Sequence, residues 1–289
     1  MSTTRGKAAR RTTLPRPTDR LPLGRSGLAV SPFCLGQVRS PATVLAAFDA
    51  GINFFFVTAD MHWPLYDALR RGLTRLLKRR RGIRDEIVVA GVAYATQPEF
   101  SWLPFAEVVD AIPGLKRVDV TVAGGAYGYE LPRRLPQYRA HLESKHVGAR
   151  AIGVTFHDRI AAREAVKKSA VDIAFVRYNA SHPKARTEVH SHLPERRRTL
   201  LYGFLNTDGF VPRIRTLGLS RDFWQPAITD HYRFALTPPQ VDGLLCAPKT
   251  PREIDTLCRA LEQRPLDAEE EQYLIDLAKL REGRAVLVR

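Results

Sequence analysis

The 289-residue chain predicts an α/β fold, a single (β/α)8 TIM barrel with an N-terminal hairpin cap and a C-terminal helix. Eight short apolar runs, rich in β-branched and aromatic residues, are each followed by a helical pattern, the alternation of a parallel sheet wrapped in helices. No GxGxxG follows the first run, which argues against a doubly wound dinucleotide fold. The length suits one barrel of this kind.

Residues 1–20 carry Arg5, Lys7, Arg10, Arg11, Arg16 and Arg20 against Asp19 alone, lack periodicity, and read as a disordered basic tail ahead of a barrel over 21–289. Leu21–Ser31 reads as two extended pieces around Gly24-Arg25-Ser26-Gly27, a hairpin placed to cap the barrel bottom. Phe33–Gly36 is the first barrel strand. Ser40 and Pro41 then open a helix at N-cap and N1, with Val44, Ala47 and Phe48 inward and Gly51 ending it. The second strand, Ile52–Val57, runs into Thr58-Ala59-Asp60 and then Met61, His62 and Trp63. A helix over 64–80 buries Leu65, Leu69, Leu73, Leu76 and Leu77 and turns its arginines to solvent.

Glu86–Gly91 is the third strand, followed by a loop to Pro104 that carries Tyr94, Phe100 and Trp102, and by a helix over 105–111. Val118–Ala123 leads to Gly124-Gly125-Ala126-Tyr127 and a helix over 132–146. Ala151–Thr155 leads to Phe156-His157-Asp158 and a helix over 159–168, for which Asp158 is placed as N-cap. Ile173–Val176 ends in Arg177-Tyr178-Asn179 before a helix around 184–192. Leu200–Phe204 is the seventh strand, followed by a long segment over 205–224 whose length marks it as functional or mobile, and a helix over 226–236. Val241–Cys246 is the eighth strand; Pro248-Lys249-Thr250-Pro251 opens a helix with Ile254, Leu257, Cys258 and Leu261 in register. The last helix, 267–281, has acidic residues in its first turn, matched to the positive end of its dipole.

The formal net charge is +15. The basic clusters read as solvated surface rather than a nucleic-acid contact, because no nucleic-acid module accompanies them. No apolar run approaches membrane-spanning length, and no secretory signal is visible. Cys34, Cys246 and Cys258 have neither metal-type nor disulfide-type spacing, and an odd number of thiols suits a reducing compartment. A cytoplasmic protein is the expectation. Oligomeric state is not legible.

Several stretches, in order, resemble the aldo-keto reductase family. Leu23–Ser31 resembles its opening LGRSGLxVS, and Gly51–Asp60 resembles GINFFDTAD with one extra residue. Ile152-Gly153-Val154-Thr155 resembles IGVS, Tyr178-Asn179 resembles the YN ending a later strand, and Ala247–Glu253 with Pro265-Leu266 resembles the region holding the adenine-side phosphate. The resemblance implies carbonyl reduction with NADP(H), using a Tyr acid supported by Asp, Lys and His. This chain departs at all four. The Asp and Tyr positions fall on Val57 and His62, or on Phe56 and Met61 without the extra residue. The Lys position falls on Val92 and the His position on Gly124, while the glutamine that holds the nicotinamide amide falls near Phe175. The losses are coherent: a phenol titrating near ~10 needs a nearby ammonium to act as an acid at neutral pH, and without the phenol a buried Lys–Asp pair has only its desolvation cost.

The strand ends should gather Asp60, His62, Trp63, Tyr94, Tyr127, Thr155, His157, Asp158, Tyr178, Asn179, His182 and Asn206 at one mouth. His62 is the candidate acid, since histidine donates a proton at neutral pH and Asp60 could hold it charged; the alternative is a histidine that only hydrogen-bonds in its loop. Tyr94 could supply a phenol or simply an aromatic rim. Thr155 and Asn179 carry groups suited to a nicotinamide carboxamide, or else make loop hydrogen bonds. Lys249, Thr250 and Arg252 flank a helix N-terminus and offer an ammonium, a hydroxyl and a guanidinium to a 2′-phosphate; an ordinary cap accounts for Thr250 and Pro251 but not for the two cations. His182, His190 and His192 are joined by no carboxylate pattern, and no metal site is expected. The sequence therefore points to an NADP(H)-dependent oxidoreductase acting on a small carbonyl- or imine-like molecule with a non-standard proton donor. Its alternatives are a catalytically inactive barrel that binds cofactor or a partner, and a different chemistry on the same barrel.

Overall fold

The computed structural model describes residues 10–144, 147–194, 196–204 and 213–283. A two-stranded antiparallel hairpin, β1 (Leu21–Leu23) and β2 (Leu28–Val30), precedes the barrel. Among the described residues eight parallel strands close the barrel in chain order: β3 (Phe33–Leu35), β4 (Phe54–Thr58), β5 (Val88–Ala93), β6 (Val120–Ala126), β7 (Ala151–Phe156), β8 (Ile173–Arg177), β9 (Leu200–Phe204) and β10 (Gly243–Cys246), with β10 pairing back to β3. The helices that position the mouth are α1 (Pro41–Asp49), α2 (Asp67–Leu77), α3 (Ile83–Glu86), α4 (Leu103–Ala111), α5 (Leu131–Glu143), α6 (Arg159–Lys167), α7 (Ala185–Glu188), α8 (Ile228–Leu236), α9 (Pro251–Leu261) and α10 (Ala268–Arg281).

The barrel interior is aromatic. Phe54 and Phe56 of β4 meet Phe175 of β8 with ring centroids 6.5 and 5.3 Å apart, and Tyr202 of β9 stands edge-on to Phe54 at 5.8 Å. Strands four places apart touch only across the lumen, so these contacts fix which residues point inward. Because successive side chains alternate, Phe54, Phe56 and Thr58 face in, as do Ile173, Phe175 and Arg177. The Tyr202 hydroxyl donates to Ser31 O at 2.6 Å and closes the bottom layer. The hairpin lies under that end, as expected: Asn53 donates to Ala29 O, and Arg150, just before β7, donates to Ser26 O.

Four expectations are corrected. Residues 10–20 are not a free tail. Arg11 donates its N–H to Thr237 O and its guanidinium to Val241 O, Leu14 is buried, and Arg10 pairs with the buried Glu271. Single-residue anchors hold this stretch, and they leave no periodic signal. The third barrel strand runs two residues later than expected, because Ile83–Glu86 makes a helical turn after Gly82 (φ +92°). The segment expected to be helical around 184–192 is a single α-turn, Ala185–Glu188, followed by a 3-10 turn, His190–His192. Arg70, expected in solvent, is buried: its guanidinium lies 3.2 Å from the centroid of the Trp63 ring and donates to Trp63 O at 2.7 Å.

Candidate active site at the barrel mouth

The end of β4 sets the site. Val57 pairs in register with Gly91, whose Cβ direction meets Phe105 of α4, so Val57 faces the helix layer and not the lumen. Of the two positions at which the sequence could place the family's aspartate, only Phe56 faces inward. A one-residue shift in a strand exchanges its two faces, which is why the extra residue could not be placed from sequence. Thr58 is the last inward residue of β4, and its hydroxyl donates to Val92 O at 2.8 Å.

Beyond Thr58 the chain turns so that Asp60, His62 and Tyr94 come together. Asp60 Oδ1 lies 2.8 Å from the Thr58 hydroxyl and 3.9 Å from His62 Nδ1, while Asp60 Oδ2 accepts the Tyr94 N–H at 2.6 Å. The His62 and Tyr94 rings pack with centroids 4.6 Å apart. His62 Nδ1 is itself shielded and makes no hydrogen bond. Met61, the other register's candidate, is exposed. The Tyr94 phenol is pushed up to about 12, first by burial and then by the Asp60 carboxylate, which removes it from the range of useful acids at neutral pH.

Val92 is fully buried and inward. Gly124 lies under the Tyr94 ring; a Cβ there would come within 2.7 Å of it. The tyrosine thus fills the volume that a side chain at 124 would need. β6 has a register irregularity between Ala123 and Ala126, where Gly125 takes φ +61° and donates its N–H to the Thr155 hydroxyl at 2.6 Å. Arg134 of α5, fully buried, donates to Ala93 O and Gly124 O, both at 3.1 Å, and so ties the ends of β5 and β6 together. Sequence reasoning missed Arg134; an arginine on a helix reads as surface unless its burial is known.

On the next wall, Asp158 caps α6 by accepting from Ile160 and Ala161 N–H, as its place before the helix predicts. His157 is left exposed against Tyr127, with ring centroids 5.4 Å apart. Tyr178 turns away from the lumen and stacks on Phe234 of α8. Its phenol is raised to about 12 by burial, although it accepts two N–H bonds from Arg186. Asn179 is fully buried. Its Oδ1 accepts the His182 N–H at 2.9 Å, whereas its Nδ2 has no partner. Asn206 lies outside the described residues.

Thr250 caps α9 by accepting the Glu253 N–H, and the Glu253 carboxylate accepts the Lys249 N–H at 2.9 Å. Arg252 is exposed. Thus Lys249, Thr250 and Arg252 do cluster at a helix N-terminus, but a carboxylate that the sequence reading gave no role shares it. Among the described residues no three metal-ligating side chains converge, and no helix is long and apolar enough to cross a membrane.

No family model matches the sequence, and no curated protein matches it. Solved structures do match the fold. An aldo-keto reductase from Bacillus halodurans in its holo form superposes with TM-score 0.64 at 16% identity, over 94% of this chain and 99% of its own. A thermostable aldo-keto reductase in complex with the inhibitor epalrestat gives 0.63 at 16% identity, over 90% and 99%. An aldo/keto reductase from Brucella melitensis gives 0.62 at 13% identity, over 90% and 99%.

Proposed function

We propose that this barrel, which has the fold of the aldo-keto reductases, is an NADP(H)-dependent oxidoreductase that reduces a small carbonyl- or imine-like substrate, with His62 as proton donor. The observation that carries this reading is the Asp60–His62 pair, 3.9 Å apart at the end of β4, beside a phenol too weakly acidic to compete.

The residues present fit the cofactor. The buried, unpartnered Nδ2 of Asn179 is a donor in want of an acceptor, and a carboxamide oxygen is one. The Thr155 oxygen already accepts the Gly125 N–H, which leaves its proton to donate. Lys249, Thr250 and Arg252 would face the adenosine phosphate, with Glu253 tempering the local charge. When bound, the nicotinamide supplies the hydride. The chain's own share is the proton. Asp60, held by Thr58 and the Tyr94 N–H, lies 3.9 Å from His62 Nδ1, and His62 would give its proton to the developing alkoxide or amine. An imine is more basic than a carbonyl and makes the smaller demand on this acid. The aromatic lumen beneath, Phe56 with Phe175, excludes water from the reacting carbon.

A second reading, a barrel that binds cofactor or a partner without turnover, is favoured by Phe56, Val92 and Gly124, which stand uncharged where the family's aspartate, lysine and histidine positions fall. One experiment separates the two. NADPH is titrated into the protein by fluorescence, and its oxidation is then followed with a panel of aldehydes and cyclic imines. Turnover that His62→Ala lowers by about 10²–10⁴-fold supports the first reading. Binding without turnover supports the second, and no binding sinks the cofactor assignment.

A further inference from the structure

We infer that Arg177 is a recognition site for an anionic group, a carboxylate or a phosphate, on the molecule that occupies the barrel mouth. The inference deepens the reading of the mouth as an active site and rests on it for the word substrate, but the anion site can be measured by itself.

Arg177 is the last residue of β8, two places beyond Phe175, whose ring meets Phe54 and Phe56 across the lumen. Alternation puts its side chain on the lumen side, at the open end, where it is exposed. The neighbouring Tyr178 cannot swing in to replace it. Its phenol is held by Arg186, which is itself paired with the buried Glu271, and its ring is stacked on Phe234. Arg177 is steadied by the Phe204 ring, 5.5 Å from its Cζ, on the paired position of β9. That contact orients a guanidinium without neutralising it.

What Arg177 lacks is a carboxylate. Several largely buried arginines of this chain have one: Arg84 with Asp119, Arg197 with Asp242, Arg233 with Asp230. Among the described residues none lies within ion-pair distance of Arg177. The mouth's own carboxylates are engaged elsewhere, Asp60 by Thr58 and the Tyr94 N–H, Asp158 by the first turn of α6, and Glu188 by Arg159. A carboxamide would satisfy Asn179; a carbonyl can take a single guanidinium N–H, as at Arg134, but a carboxylate or phosphate edge matches the planar fork with two parallel N–H bonds and neutralises its charge.

The test uses the full chain without cofactor. Benzoate and inorganic phosphate are titrated calorimetrically into wild type, Arg177→Gln, Arg177→Lys and, as a control for diffuse attraction to a basic protein, the surface variant Arg259→Gln. The expected result is that one anion binds wild type and Arg259→Gln alike, loses about tenfold or more in Arg177→Gln, and is partly retained in Arg177→Lys. The arm that responds distinguishes carboxylate from phosphate. Wild type binding neither anion, or Arg177→Gln binding as wild type does, overturns the site. In turnover, Arg177→Gln should raise KM for 2-carboxybenzaldehyde and leave benzaldehyde unchanged; an equal effect on both counts against it. If no aldehyde is reduced at all, the oxidoreductase reading fails while the anion titration still decides on Arg177.

Discussion

At the scale of single residues, His62 and Tyr94 would, on the function proposed above, divide two properties that one tyrosine combines in the resembled family. His62 stands near a carboxylate and can exchange a proton. Tyr94 gives bulk, packing against His62 and over Gly124, while burial keeps its phenol protonated. Tyr94→Phe should therefore leave kcat within about twofold and shift no limb of the pH–rate profile, whereas His62→Ala should remove most of the rate and, with it, the fall in rate toward alkaline pH that a general acid produces. A Tyr94→Phe enzyme that lost activity as His62→Ala does would return the phenol to the mechanism. Both measurements are steady-state rates between pH 5 and 9.

At the scale of elements, the β6 end packs the Tyr94 ring over Gly124, and the α9 start adds the Glu253 carboxylate to its cation-bearing N-terminus. Gly124→Ala pushes a methyl into the Tyr94 ring at 2.7 Å. It should cost about 1–3 kcal/mol in chemical denaturation, and pairing it with Tyr94→Ala should remove the clash, so that the two changes are markedly non-additive. At α9, Thr250→Ala should cost about 1 kcal/mol through loss of the cap. Glu253→Gln takes a negative charge off the helix N-terminus and should tighten NADPH binding by about 2–5-fold, with less effect on NADH.

At the scale of the whole molecule, acid should open the fold before alkali does. Burial, helped by Arg186 and Arg197, pushes His190 down to about 3, and burial pushes His231 down to about 4. An unfolded chain protonates these imidazoles near ~6.5 while the folded chain keeps them neutral. The stability they carry is thus fully present above that value and is lost as pH falls from about 6.5 toward 4 and then 3, at up to about 1.4 kcal/mol per pH unit for each. Asp172 and Asp242, raised by burial, work in the opposite sense, but only in the carboxylate range. Denaturant midpoints measured between pH 4 and 8 check this, and His190→Gln should flatten the slope.

The alternation of apolar runs with helical patterns determined the barrel, because burial on both faces of a parallel strand demands continuous apolar sequence and each crossover demands a helix. It also determined the caps at Ser40, Asp158 and Thr250, since a cap is a contact between near neighbours. It brought Asp60 and His62 to one mouth for the same local reason. What only the tertiary structure decided was facing and pairing across long separations. Val57 turns outward and Phe56 inward because β4 takes its register from β5. Arg134 is interior because it ties together two strand-end carbonyls, Ala93 O and Gly124 O, that lie far apart in sequence and meet only in the folded barrel. Residues 10–20 are anchored through single contacts to Val241, just before β10, and to Glu271 of α10. Among the described residues Arg177 has no carboxylate partner, because each mouth carboxylate described is held by a partner that only folding brings near, or by its own helix. Periodicity records which residues are buried; it does not record which partner, on a strand a hundred residues away, is already taken.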